Sequence, residues 1–219
     1  MFEYSFWYLS TKLFFATDCS FPVSTTFNFL PPTFLTIALV ENNLFNLPKN
    51  FDVLLIQGGA TFQNTLLPMN IDKNKKIGVL VNGTWGKKTY EDFKKLNPNT
   101  DLFEVSKNSL EKYLEKNNFE NLDYLHITSN ETIEGIQIKD FNEVAHSNLL
   151  VDMSSDLGSY PFSFDKVSYI YAGAQKNMGI PGVTICLVNK DFLIDVDNSS
   201  YLNLKKLTTS NSVLNTPPT

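Results

Sequence analysis

Short apolar runs and stretches of helical period take turns along the chain from Phe51 onward. The run DVLLIQ (Asp52 to Gln57) leads through glycines into a helical pattern over TFQNTLLPM and then into IGVLVNG (Ile77 to Gly83), a β–α–β signature. Trp85 opens a second helical stretch in which Tyr90, Phe93 and Leu96 share a face, and Asp101 to Val105 follows as a short strand. Leu110, Tyr113 and Leu114 mark a third helix. Four more runs read as strands: YLHIT (Tyr124 to Thr128), LLVDM (Leu149 to Met153), VSYIYAG (Val167 to Gly173) and TICLVN (Thr184 to Asn189). They are rich in β-branched and aromatic residues but lack strict polar alternation, as strands do when both faces of their sheet are covered. Strands interleaved with helices, without an internal repeat, predict an α/β layer fold with a mostly parallel sheet flanked by helices. Pro161, Asp197 to Ser200 and the closing NTPPT read as turns or loops rather than domain linkers.

Residues 1–39 follow no such order. The opening MFEYSFWYLSTKLFFATDCSF is aromatic and apolar, yet it has Glu3 at its front, no basic n-region and no convincing small-residue cleavage site, so it matches a secretory signal poorly. The apolar run between Phe27 and Val40 is broken by Pro31 and Pro32 and falls short of the roughly 20 residues a bilayer requires. No membrane-spanning helix is expected there.

Composition narrows the partners. With 219 residues, 42% of them hydrophobic and 19% charged, the chain can bury a sizeable core as one domain or a large part of one. A formal net charge of −5 removes the basic surplus that attracts nucleic acid or anionic lipid. Two distant cysteines, Cys19 and Cys186, and two separated histidines, His126 and His146, make neither a disulfide framework nor a spaced metal-ligand set, and a reducing, cytoplasmic compartment is the default. All 18 basic residues are lysines; the chain contains no arginine.

Four features invite chemistry, each with a structural alternative. Lys176, in AGAQKNMGIPG just after a strand, is placed either as an amine aimed into an α/β crevice or as a solvated loop charge. Asp152, at the end of LLVDM, is either a paired acid or a cap for the turn at Ser154 and Ser155. Taken together, an acid and an amine at two strand ends are what a pyridoxal phosphate enzyme needs, the first for the pyridine nitrogen and the second for the aldehyde. Gly58 and Gly59, between a strand and a helix, either cradle a phosphate or allow a tight turn. Trp85 either stacks on a planar ligand or fills the core.

Longer stretches then match in order: QGGATFQNTLLPMN (Gln57 to Asn70), NGTWGKK (Asn82 to Lys88), HITSNETIEGI (His126 to Ile136), DMSSD with SYPFSFDK (Asp152 to Lys166), YIYAGAQKNMGIPG (Tyr169 to Gly182) and NSVLNTPPT (Asn211 to Thr219). On these the chain resembles the phosphoserine aminotransferases, fold-type-I pyridoxal phosphate enzymes of class V, from about Val40 to its end. The resemblance implies a pyridoxal-phosphate-binding large domain over residues 40–219, with residues 1–39 unassigned. It implies that Lys176 holds the cofactor aldehyde and moves the proton between Cα and C4′, and that Asp152 partners the pyridine nitrogen. By the same resemblance Trp85 stacks on the ring, Thr132 makes a polar contact, Ala60, Thr61 and Gln175 bind the phosphate, and Asn215 and Thr216 reach the cofactor of a second subunit in a homodimer. The reaction implied moves an amino group between glutamate and 3-phosphohydroxypyruvate to give O-phosphoserine for serine biosynthesis.

Two family features find no counterpart. The N-terminal His-Arg pair for the substrate phosphate is not matched in residues 1–39, and the small C-terminal domain with its carboxylate-binding arginine is missing, so a partial gene product is expected. Lysine cannot reproduce the bidentate fork of arginine. A catalytically silent cofactor-binding or dimer-interface remnant is therefore the competing expectation, and a plain α/β scaffold without cofactor is a third.

Overall fold

The structure, a computed structural model, describes residues 45–116, 119, 121–212 and 214. The segments 1–39 and Phe27 to Val40, and the paired residues Asn215 and Thr216, lie outside the described residues.

In chain order the elements are β1 (Phe51–Gln57), α1 (Ala60–Met69), β2 (Ile77–Val81), α2 (Thr84–Leu96), β3 (Thr100–Glu104), α3 (Leu110–Lys116) and β4 (Tyr124–Thr128). A small hairpin of β5 (Asn130–Glu131) and β6 (Ile136–Gln137) follows, then β7 (Leu149–Asp152), β8 (Val167–Gly173), β9 (Val183–Asn189) and α4 (Leu204–Thr209). Seven strands form one sheet in the order β1-β9-β8-β7-β4-β2-β3. The pairs from β8 across to β3 are parallel, whereas β9 runs antiparallel to both β8 and β1. The mostly parallel expectation therefore holds with TICLVN as the reversed strand. The strand, helix and strand of the β–α–β reading form as expected, with β1 and β2 pointing the same way, but four strands lie between them in the sheet because later segments insert there.

The continuous apolar runs have the cause expected of them. Within β1, Val53 and Leu55 join one buried cluster while Leu54 and Ile56 join the other, so both faces of the sheet are covered. Leu66 and Leu67 of α1 and Phe93 of α2 pack on one face; Leu110 and Leu114 of α3 pack on the other. Leu96 departs from its expected face: it is 39% exposed in the last turn of α2, beyond Phe93, the final buried residue of that helix. The strand expected at Asp101 to Val105 lies one residue earlier, and LLVDM pairs only as far as Asp152. Among the described residues no helix is long and apolar enough to cross a membrane.

Candidate active site

At the carboxyl ends of the parallel strands the chain must leave the sheet, and here the starts of α1 and α2 meet the ends of β4, β7 and β8. They enclose a cleft of roughly 200 Å³. Ala60, Thr61, Trp85, Thr132, Asp152, Gln175 and Lys176 all line it. Such a crevice outside the strand ends is where open α/β sheets bind ligands.

The two helix starts differ. Glu131, on the hairpin, accepts the backbone N–H groups of Trp85 (3.0 Å) and Gly86 (2.7 Å), while Glu134 accepts the N–H (3.0 Å) and hydroxyl (2.6 Å) of Thr84. These carboxylates occupy the positive end of α2. By contrast, α1 begins at Gly59 with no side-chain cap and no acidic residue in its first turn. Gly59, Ala60 and Thr61 at this end line the cleft, and an uncapped helix start suits an anion. Gly58, with φ of +103°, makes the sharp exit from β1, and its N–H donates to Gly182 at 2.9 Å.

Trp85 is 38% exposed, which removes the core-filling alternative for it. Its indole Nε1 donates to the Thr132 hydroxyl at 3.1 Å, fixing the ring against the wall. Asp152 accepts both the N–H (2.9 Å) and the hydroxyl (2.5 Å) of Ser154 on one oxygen, so it does cap the following turn while still lining the cleft. Burial chiefly pushes its carboxyl up, to about 6; the Ser154 bonds oppose this, and the charges of Asp156 and Glu131 add to it. Burial likewise raises Glu131 against the two N–H groups that it accepts. Lys176 stands in the turn after β8, whose start is tied down by Gly173 N–H to Ser154 Oγ at 3.3 Å and by Gly179 N–H to the Ala174 carbonyl at 2.7 Å.

Beneath the cleft lies a polar bed. Tyr171 Oη and His126 Nε2 stand 3.0 Å apart, and the Thr89 hydroxyl donates to Asn64 Oδ1 at 3.2 Å. His126 is fully buried, and this drives its imidazole down to about 3, so it is neutral. Sequence reasoning missed Asn64, Lys88, Thr89, Thr128, Asn130, Ser154 and Ser155 as lining residues. Helical spacing is the signal for some, since Asn64 is one turn beyond Ala60 and Lys88 one turn beyond Trp85; position at a strand end is the signal for Thr128. Among the described residues no group of three or more His, Cys, Asp or Glu side chains could hold a metal ion.

The sequence matches the aminotransferase class-V family over residues 40–213. It is similar to the phosphoserine aminotransferase of Lysinibacillus sphaericus, with 39% identity over 190 residues, covering 84% of this chain and 52% of that protein. The phosphoserine aminotransferase of Alkalihalobacillus alcalophilus shows 40% identity over 182 residues, or 80% of this chain and 50% of that one. Among solved structures, phosphoserine aminotransferase from Bacillus circulans subsp. alkalophilus superposes with a TM-score of 0.71 at 33% identity, covering 85% of this chain and 53% of that one. The PLP-bound phosphoserine aminotransferase of Trichomonas vaginalis gives 0.71 at 27% identity, covering 85% and 57%. The chain spans about half the length of the curated relatives it matches. With fold, cleft and sequence in agreement over most of its residues, this chain belongs to the class-V aminotransferase family.

Proposed function

We propose that the chain is the cofactor-binding part of a phosphoserine aminotransferase, which moves an amino group between glutamate and 3-phosphohydroxypyruvate. The observation that carries this reading is the meeting of Lys176, Asp152 and the exposed face of Trp85 in one cleft that the uncapped start of α1 also lines. These residues fit pyridoxal phosphate group by group. The open N-terminus of α1, with Ala60, Thr61 and Gln175, suits the phosphate. The second oxygen of Asp152, in an acidic surrounding, suits a protonated ring nitrogen. The Trp85 face, held by Thr132, suits the ring plane. Bound there, pyridoxal phosphate supplies an aldehyde to carry the amino group and a ring to accept electrons.

Lys176 Nζ, in the turn after β8, would hold the aldehyde and, when freed, would serve as the base that moves a proton at the reacting carbon. Asp152 would hold the proton at the ring nitrogen. Thr132, which accepts from Trp85, retains its own hydroxyl proton for a contact to the ligand. Asn215 and Thr216 complete a partner subunit's phosphate site in a homodimer. A cytoplasmic setting accords with Cys186, a buried free thiol. The lack of any arginine favours a second reading, a cofactor-binding remnant without turnover.

Addition of pyridoxal phosphate to the purified chain, borohydride reduction and peptide mapping test the proposal. A visible absorption band and label on Lys176 are expected; no band, or label on another lysine, overturns it.

A further inference from the structure

Asp156 follows Asp152 by one turn of chain and is only 2% exposed. Its carboxylate collects donors from three segments: Ser129 Oγ at 2.6 Å from the end of β4, Gln137 Nε2 at 3.2 Å from β6, and Tyr160 Oη at 3.0 Å from the loop after β7. Ser129 also holds Asp152, because its backbone N–H donates to the Asp152 carbonyl at 2.9 Å. The Ser129 hydroxyl lies 2.9 Å from that same carbonyl, but its single proton goes to the carboxylate, the stronger acceptor. Among the described residues no lysine pairs with Asp156, Asp152 or Glu131.

A buried carboxylate without a cation is costly, and here Asp156 and Glu131 are both buried beside the half-buried Asp152. Neutral donors satisfy the hydrogen-bonding capacity of Asp156 and leave its charge uncompensated. A cation arriving at Asp152 would supply the compensation. We propose that Asp156 is a positioning residue for Asp152: through Ser129 it pins the strand end that carries Asp152, and its charge draws a cationic ring nitrogen to that carboxylate. The inference rests on the cofactor reading above. It is consistent with the raised proton affinity of Asp152, to which Asp156 contributes after burial. The titratable groups that act on the two aspartates are Glu131 on the hairpin, Tyr160 in the loop and Tyr171 on β8; Lys88 and Lys176 line the same cleft as Asp152 but, among the described residues, form no ion pair with either aspartate.

The test compares Asp156→Asn with wild type, with and without pyridoxal phosphate. Asparagine keeps an acceptor for Ser129 but removes the charge. The expected result is a roughly tenfold weaker cofactor affinity and a smaller visible circular dichroism of the bound cofactor, with the melting temperature of the cofactor-free protein unchanged or raised, since like-charge repulsion is relieved. A purely structural Asp156 would lower the cofactor-free and cofactor-bound melting temperatures alike. That result, or an affinity within twofold of wild type, overturns the proposal. Should Asp156→Asn not fold, Ser129→Ala decides, because it cuts the side-chain link and leaves the charge. Altered visible circular dichroism with at least threefold weaker binding then supports the proposal, and wild-type behaviour overturns it. A wild-type chain that gives no visible band defeats the cofactor reading and this inference together; a normal wild-type band with unaffected variants defeats this inference alone.

Discussion

The indole N–H of Trp85 donates to the Thr132 hydroxyl over 3.1 Å, so the first turn of α2 and the tip of the β5–β6 hairpin hold each other. Glu131, the preceding residue on that hairpin, accepts the backbone N–H of Trp85 as well, at 3.0 Å. Ring and backbone of Trp85 are thereby anchored to the same short segment, which sets the plane of one cleft wall.

Replacing Thr132 by Val keeps its volume and removes both the partner of the indole and the hydroxyl proposed to contact the ligand. Each hydrogen bond is worth about 1 kcal/mol, so roughly thirtyfold weaker pyridoxal phosphate binding is expected, with the free protein destabilised by no more than about 1 kcal/mol. Titration of tryptophan fluorescence quenching measures it. Unchanged affinity would show that binding depends on neither bond.

The hairpin sits so close to α2 that a methyl group has no room between them. A Cβ on Gly83 would lie 2.5 Å from Glu131 Cδ and 2.6 Å from Glu134 Oε2, and the two carboxylates that cap α2 would have to move. Gly83→Ala is expected to destabilise the chain by about 1–3 kcal/mol, from overpacking and lost capping. Gly59→Ala is the control: it meets nothing within 4 Å and its φ of −104° is open to alanine. Urea unfolding of both variants checks the contrast, and equal stabilities would contradict it.

The half-buried Asp152 and the buried His126 give the ligand-free protein opposing pH dependences. Asp152, raised from 3.8 to about 6, binds its proton more tightly folded than unfolded, so its contribution declines as pH rises from about 4 to about 6. The shift corresponds to at most about 3 kcal/mol, reduced by water in the cleft. His126, lowered from 6.5 to about 3, contributes stability that is present above 6.5 and is lost as pH falls toward 3. Asp152→Asn therefore should leave the His126 slope alone: stability of the variant rises more steeply with pH between 4 and 6 than that of wild type, and exceeds it at pH 7. Melting temperatures across that range decide it; parallel curves for the two proteins would refute the assignment.

How much of this was legible beforehand follows from what kind of signal each residue leaves. The sheet was readable because strands buried on both faces show unbroken apolar runs, as Leu54 and Leu55 do by serving opposite clusters. Strand order was not, since β1 and β2 look like neighbours in sequence and nothing local says that four strands insert between them. Asp152 and Lys176 were visible as polar residues at strand ends. Asp156 and Ser129 were not, because their roles arise from contacts between loops 27 residues apart, at 2.6 Å, which no spacing rule encodes. Glu131 was hidden for the same reason: it caps a helix 45 residues earlier in the chain.

The substrates of the proposed reaction carry carboxylates and, in one case, a phosphate, which a planar guanidinium holds with two parallel hydrogen bonds. In the 219 residues every basic side chain is lysine, and of these Lys176 and Lys88 line the cleft. With Lys176 committed to the cofactor, Lys88 is left as a single point charge at the end of a flexible stem. Charge-assisted hydrogen bonds are worth roughly 1.5–3 kcal/mol each, so the absence of two bidentate partners is expected to lower kcat/KM at least about a hundredfold. An assay of the chain with glutamate and 3-phosphohydroxypyruvate, beside the Lysinibacillus sphaericus relative, measures this. Cofactor binding with kcat/KM more than a hundredfold below that relative is the expected outcome. A value within about tenfold, a barrier difference of only about 1.4 kcal/mol, would mean that lysines alone can orient both anions and that the fork of arginine is dispensable here.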